Sequence, residues 1–180
     1  MMKKGFTLVE LMVTVVVIAI VSSALLLSWT PAQKAFNLRH AAFQLADDLR
    51  RTQQLSLSTH TFDCDPLPAE DYTGFGLYLN TSSSTTAYQI FENCSSDNRV
   101  WDSGEEKETL NFAQDIEIQS LEKTGVSVSS LSVFFVPPNP DTYINGINGE
   151  VAGEEAKITL TNGSSTAVVK INSSGCIEVD

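Results

Sequence analysis

The stretch KKGFTLVELMV, Lys3 to Val13, sets a glutamate, Glu10, inside the most hydrophobic part of the chain. Two lysines precede it, and from Leu11 to Gln33 no residue is charged. About 20 apolar residues suffice to cross a bilayer as a helix, which satisfies its own backbone hydrogen bonds whatever its Val and Ile content. The run therefore predicts a spanning helix, with Lys3 and Lys4 keeping the N-terminus cytoplasmic and everything after Trp29 exported. A cleavable secretory signal is the competing reading, but the run is too long for a usual signal core, and such a core has no use for Glu10. An ionisable side chain in a membrane segment costs at least ~2.5 kcal/mol. Glu10 thus implies a specific partner, the plain alternative being a carboxylate that snorkels to the nearby interface.

Beyond Trp29 the pattern becomes amphipathic. Leu38, Ala42, Leu45 and Leu49 recur at four-three-four spacing, with Phe36 and Ala46 close to the same face and Arg39, Asp48, Arg50 and Gln53 outside it. This predicts a helix to about Leu57 whose apolar stripe lies on a globular head. Pro31 removes one backbone donor and crowds the preceding turn, so a kink or a locally melted turn is expected there.

After His60 the chain reads as short strands. YTGFGLYL, TAYQIFE, DIEIQSL and LSVFFV are separated by Ser, Asn, Gly and Pro clusters. KITLTNGSSTAVVKI is a hairpin signal about NGSS, and CIEV is a last strand after NSSG. The fold class is α+β: a long N-terminal helix packed on a mostly antiparallel β head over 61–180. Asn80 to Thr86 and Val136 to Glu150 are expected as exposed loops.

Charge divides the chain in the same way as hydropathy. The 180 residues carry a net charge of -11. From Thr61 onward five basic residues face nineteen acidic ones, a balance that repels nucleic acid and anionic lipid heads. Cys64, Cys94 and Cys176 are too few for a disulfide framework and lack metal-ligand spacing. Cys64 and Cys94, both in turn-rich sequence, are the candidate pair outside the cytoplasm, while Cys176, in an apolar strand pattern, reads as a small buried hydrophobe.

Catalytic constellations are missing from the pattern. His40 and His60 have no partner spacing, with His40 reading as a helix-surface residue, and no serine sits in a nucleophile elbow. The chain is not expected to be an enzyme or to hold a cofactor. Asp97, Asp102 and Glu105, with Asn98 and Glu106, could offer oxygen ligands to Ca²⁺, although EF-hand spacing is absent and a solvated acidic loop is the preferred reading. Trp101, Tyr143 and Ile147 fall in expected loops and together could form a contact for another subunit or for cargo.

The combination in KKGFTLVE of a basic leader, Gly5, Phe6, a glutamate four residues further and an uncharged run resembles the type III signal of type IV pilins and type II secretion pseudopilins. The resemblance implies that a prepilin peptidase removes residues 1–5, cutting after Gly5, and that the new amino terminus at Phe6 is N-methylated. It implies a filament-core transmembrane helix over 6–30, an amphipathic helix over 31–58 and assembly with other pilins or pseudopilins at the inner membrane. In that setting the Phe6 amine meets Glu10 of a neighbouring copy, each charge offsetting the other's desolvation. FQLADDLRRTQQLSLS, FFVPP and the terminal INSSGCIEV further resemble GspH/FimT-type minor pseudopilins, which implies two packed β-sheets. Two loops, TFDCDPLPAEDYTG and VPPNPDTYINGINGEVAGEEA, are longer than that pattern.

A GspH-type subunit of a type II secretion pseudopilus is therefore expected. A minor type IV pilin serving pilus biogenesis, adhesion or DNA uptake is the alternative, with direct DNA contact disfavoured by the acidic head. A singly anchored cell-surface binding module is the alternative of another class.

Overall fold

The computed structural model describes residues 7–58, 74–93, 99–113, 115–136, 141–145 and 154–180, without the side chains of 24–31 and 141. Gly5, Phe6, His60, Cys64, Cys94, Asp97, Asn98 and Ile147 lie outside the described residues. The chain divides into two compact units, Met1–Phe36 and Asn37–Asp180.

Helix α1 runs over Leu8–Leu57. Pro31 lies within it, so the expected melted turn does not form: a single missing donor is tolerable when the neighbouring turns keep their own bonds. In the first unit the aliphatic side chains of Leu8 to Val21 are exposed all round the helix. Thr14 Oγ1 and Ser23 Oγ donate to the carbonyls of Leu11 and Ile20, each at 2.8 Å, so those hydroxyls are satisfied within the helix. Among the described residues no helix is long and apolar enough to cross a membrane. Leu8 to Ser23 is roughly 24 Å of helix at 1.5 Å per residue, short of the ~30 Å hydrocarbon layer. The spanning expectation draws also on residues 24–31.

The second unit joins the rest of α1 to two five-stranded sheets. Strands β1 (Phe75–Asn80), β2 (Ser84–Glu92), β3 (Glu106–Asn111), β6 (Ser130–Val136) and β7 (Asp141–Ile144) form sheet A in the order β3-β2-β1-β6-β7. Strands β4 (Glu117–Lys123), β5 (Val126–Val128), β8 (Glu155–Thr161), β9 (Thr166–Asn172) and β10 (Ile177–Val179) form sheet B in the order β10-β9-β8-β4-β5. Every pairing is antiparallel. The head is thus α+β with two sheets, as expected.

One core joins helix and sheets. Leu38, Ala42, Leu45, Ala46 and Leu49 are buried together with Leu77, Leu79, Val133 and Phe135 of sheet A and Ile158, Leu160, Val169 and Ile171 of sheet B. Alternation decides the inner face: Ile158 pairs with Val169 and Leu160 with Ala167, while the intervening Lys157 and Thr159 turn outward. Phe36 departs from the predicted stripe and is exposed.

Three further expectations are corrected. Ser84 to Thr86 belong to β2, because the Asn80 side chain accepts the backbone N–H groups of Ser82 and Ser83 and closes a short turn. The segment 136–150 contains β7, whose Thr142 and Ile144 are buried; pairing with Val133 to Val136 of β6 outweighs its Pro- and Gly-rich flanks. Cys176 is a free, exposed thiol rather than a core residue, because the turn from Asn172 to Cys176 places it ahead of β10.

Candidate functional site

Glu10 stands at the third position of α1, and its backbone N–H donates to Thr7 Oγ1 at 3.3 Å. The Leu11 N–H reaches the Thr7 carbonyl at 3.2 Å, which makes Thr7 the N-cap of a Thr-x-x-Glu sequence. The helix dipole also favours an anion in this turn. Thr7 is the residue that reading by hydrophobicity misses, although the capping spacing was legible. Glu10 itself is exposed, amid exposed Leu8, Val9, Leu11 and Met12. The cap uses its backbone, and its carboxylate is the one charge of Leu8 to Ser23. A helix apolar on every side needs surroundings of its own kind, and a carboxylate carried among such side chains needs a counter-charge there.

In the head, polar groups at the helix–sheet boundary lock the packing. Tyr88 donates its phenol to Asp48 Oδ2 at 2.5 Å. Burial, and then the Asp48 carboxylate beside it, push the Tyr88 hydroxyl far above the usual phenol range. Ser56 Oγ accepts from the Phe75 N–H at 2.8 Å and approaches the Phe75 carbonyl at 3.3 Å. Arg51 pairs with Glu108 at 2.9 Å, near the surface. His40 lies exposed on α1, as expected.

The outer faces of the two sheets differ. Across sheet B the row Glu122, Lys157, Lys170 and Glu178 is polar, with Lys157 3.5 Å from Glu122 and Lys170 2.5 Å from Asp180. That is an ordinary solvated face. Across sheet A the corresponding row is Phe91, Gly76, Phe134 and Tyr143, beside a second row of Gln89, Tyr78 and Ser132. Phe91 and Phe134 stack at 6.0 Å. They approach because the position between them is Gly76, where an added Cβ would lie 2.3 Å from the Phe91 ring.

The segment after Arg99 folds over this face. Trp101 stacks on Tyr78 with ring centroids 4.4 Å apart and planes 6° from parallel, and the Arg99 guanidinium lies 4.0 Å above the Tyr143 ring. Trp101 and Tyr143 are therefore half-buried partners of sheet A rather than lone loop residues, with Tyr143 inside β7. The acidic residues nearby are engaged in the turn: Glu105 is buried and accepts the Asp102 N–H at 2.9 Å, and Glu106 accepts the Gly104 N–H at 2.9 Å. Among the described residues no group of three or more His, Cys, Asp and Glu could hold a metal ion.

Residues 1–26 match the family described as the prokaryotic N-terminal methylation motif. The match contains Gly5, Phe6, Thr7, Glu10 and the exposed aliphatic turns, and it supports a type IV pilin-like protein processed by a prepilin peptidase and assembled with other pilins. No curated protein and no solved structure matches the chain.

Proposed function

We propose that the chain is the precursor of a minor pilin-like subunit, trimmed after Gly5 and methylated at Phe6, with α1 entering the core of a filament and the β head facing outward. The observation that carries this reading is the coincidence, within the first 26 residues, of the methylation motif with a helix whose aliphatic side chains are exposed on all sides and bear one carboxylate, Glu10. Before assembly such a helix rests in the inner membrane; in the filament, like helices replace lipid. The new Phe6 amine of one copy then neutralises Glu10 of its neighbour, and the pair sets the axial stagger of the helices. The subunit acts by packing and recognition rather than by catalysis.

The finer assignment is to a GspH/FimT-type pseudopilin of a type II secretion system. It is supported by the order of a helix followed by two five-stranded antiparallel sheets and a terminal strand-turn-strand at Asn172 to Val179. The test is the mass of the mature N-terminus after expression with and without a prepilin peptidase. A chain beginning at methylated Phe6 only when the peptidase is present supports the precursor. A chain still beginning at Met1 or Met2, with the peptidase active on a control substrate, overturns it.

A further inference from the structure

We infer that the outer face of sheet A carries a binding cleft for a neutral oligosaccharide, bounded by the Trp101–Tyr78 stack and separate from the helix that assembles. An open cavity of about 450 Å³ lies there, within the size range of small-molecule sites. Its floor comes from β1, β2 and β3 and its wall from the Trp101 turn, all within the head unit.

The lining selects the chemistry. Besides the two stacked rings, Ser84, Gln89, Ser103 and Thr109 bring an amide and hydroxyls to the lining, and among the described lining residues Glu106 is the one carboxylate. Among the described residues no lysine or arginine lines the cavity, so a phosphate or a uronic acid would find no counter-charge there beside Glu106. A sugar ring has apolar C–H faces suited to an aromatic platform and equatorial hydroxyls that both donate and accept. Gln89 Nε2 donates to Thr109 Oγ1 at 3.4 Å, which leaves the Gln89 carbonyl oxygen as an acceptor and the Thr109 hydroxyl proton as a donor. Two groups that bind each other while each keeps a complementary function suit a vicinal diol.

The aromatic platform is held at some cost in stability. Trp101 Nε1 is buried with no hydrogen-bond partner among the described residues, a loss of about 1–3 kcal/mol that a purely structural packing residue such as Phe would avoid. Its backbone is fixed separately, the Trp101 N–H donating to Ser132 Oγ at 3.4 Å.

The chain holds two tryptophans, Trp29 and Trp101, so Trp29→Phe leaves Trp101 as the sole tryptophan reporter under excitation that spares tyrosine. The full-length W29F chain, in a detergent without a sugar headgroup, is titrated with neutral cello-, chito-, malto- and galacto-tetrasaccharides and with an oligogalacturonate and an acidic peptide as charged controls. At least one neutral tetrasaccharide is expected to shift Trp101 emission saturably, and Gln89→Leu to weaken it about tenfold, or ~1.4 kcal/mol. Trp101→Ala, checked for folding by circular dichroism and read by calorimetry, should abolish the binding heat. No response to any neutral tetrasaccharide, equal binding by folded Q89L and W101A, or preference for either charged control overturns the proposal.

Discussion

The Tyr88 hydroxyl donates to Asp48 across 2.5 Å, tying strand β2 to a helix residue forty positions earlier in the chain. Asp48 lies off the apolar stripe of α1, yet this bond, with Ser56 to Phe75 and Arg51 to Glu108, fixes which face of the helix meets sheet A. Replacing Tyr88 with Phe keeps the ring that packs at 4.9 Å on Phe112 but leaves Asp48 without this donor. Tyr88→Phe is expected to lower stability by about 1–3 kcal/mol, measured by urea denaturation.

The same pair imposes an alkaline limit. Burial raises the Tyr88 hydroxyl above its ordinary value, and Asp48 raises it further. Below about pH 10 both folded and unfolded chains keep the proton, and the contribution of Tyr88 is constant. As pH rises beyond that, the unfolded chain releases the proton while the folded one retains it, so stability falls. Denaturation midpoints measured between pH 8 and 11 should decline for the parent above about pH 10 and decline less steeply for Tyr88→Phe.

Ser56 is buried, and its hydroxyl serves the backbone at the start of β1. Ser56→Ala removes that partner and admits no water in its place. A loss of about 1–3 kcal/mol is expected, seen as a lower denaturation midpoint with an unchanged slope.

Gly76 is required by contact rather than by its torsion angles. A Cβ there would meet the Phe91 ring at 2.3 Å and the Val133 carbonyl at 2.9 Å, with the ring fully buried and the carbonyl part of the β1–β6 ladder. Gly76→Ala should cost about 1–3 kcal/mol or more by overpacking. The paired change Gly76→Ala with Phe91→Leu should recover part of the loss, which a double-mutant cycle would measure.

Thr7 and Glu10 separate a local role from an intermolecular one. Thr7→Val keeps the shape but removes the cap, costing about 0.5–2 kcal/mol of helix stability. Glu10→Gln keeps the backbone acceptance by Thr7 and removes the charge. On the proposed function, Glu10→Gln should abolish incorporation into filaments while processing after Gly5 continues, and Thr7→Val should leave both largely intact. Immunoblots of sheared filaments beside N-terminal mass spectra read the two outcomes.

The hairpin about Asn162 to Ser165 and the terminal turn were legible because glycine and asparagine mark turns independently of context. Strand β3, with the sequence EKETLN, was not legible: it has few apolar residues, being an edge strand, and its identity comes from pairing with β2. Strand β7 was hidden for the same reason, its evidence lying in β6. Of the candidate sites, the roles proposed for Gly5, Phe6 and Glu10 rest on a linear pattern, which the match over residues 1–26 also covers. The Trp101–Tyr78 platform joins residues from separate segments, and no spacing announces it.

Sequence alone determined what depends on neighbours along the chain: the aliphatic helix with its single carboxylate, the amphipathic continuation, the turn-bounded hairpins and the acid excess of the head. Helical periodicity, turn chemistry and charge are all local or additive quantities. Tertiary structure alone decided which face of sheet A became aromatic, why Gly76 must be glycine, and how Tyr88 found Asp48. Those outcomes depend on strand register and sheet order, where a shift of one residue would turn every side chain to the opposite face.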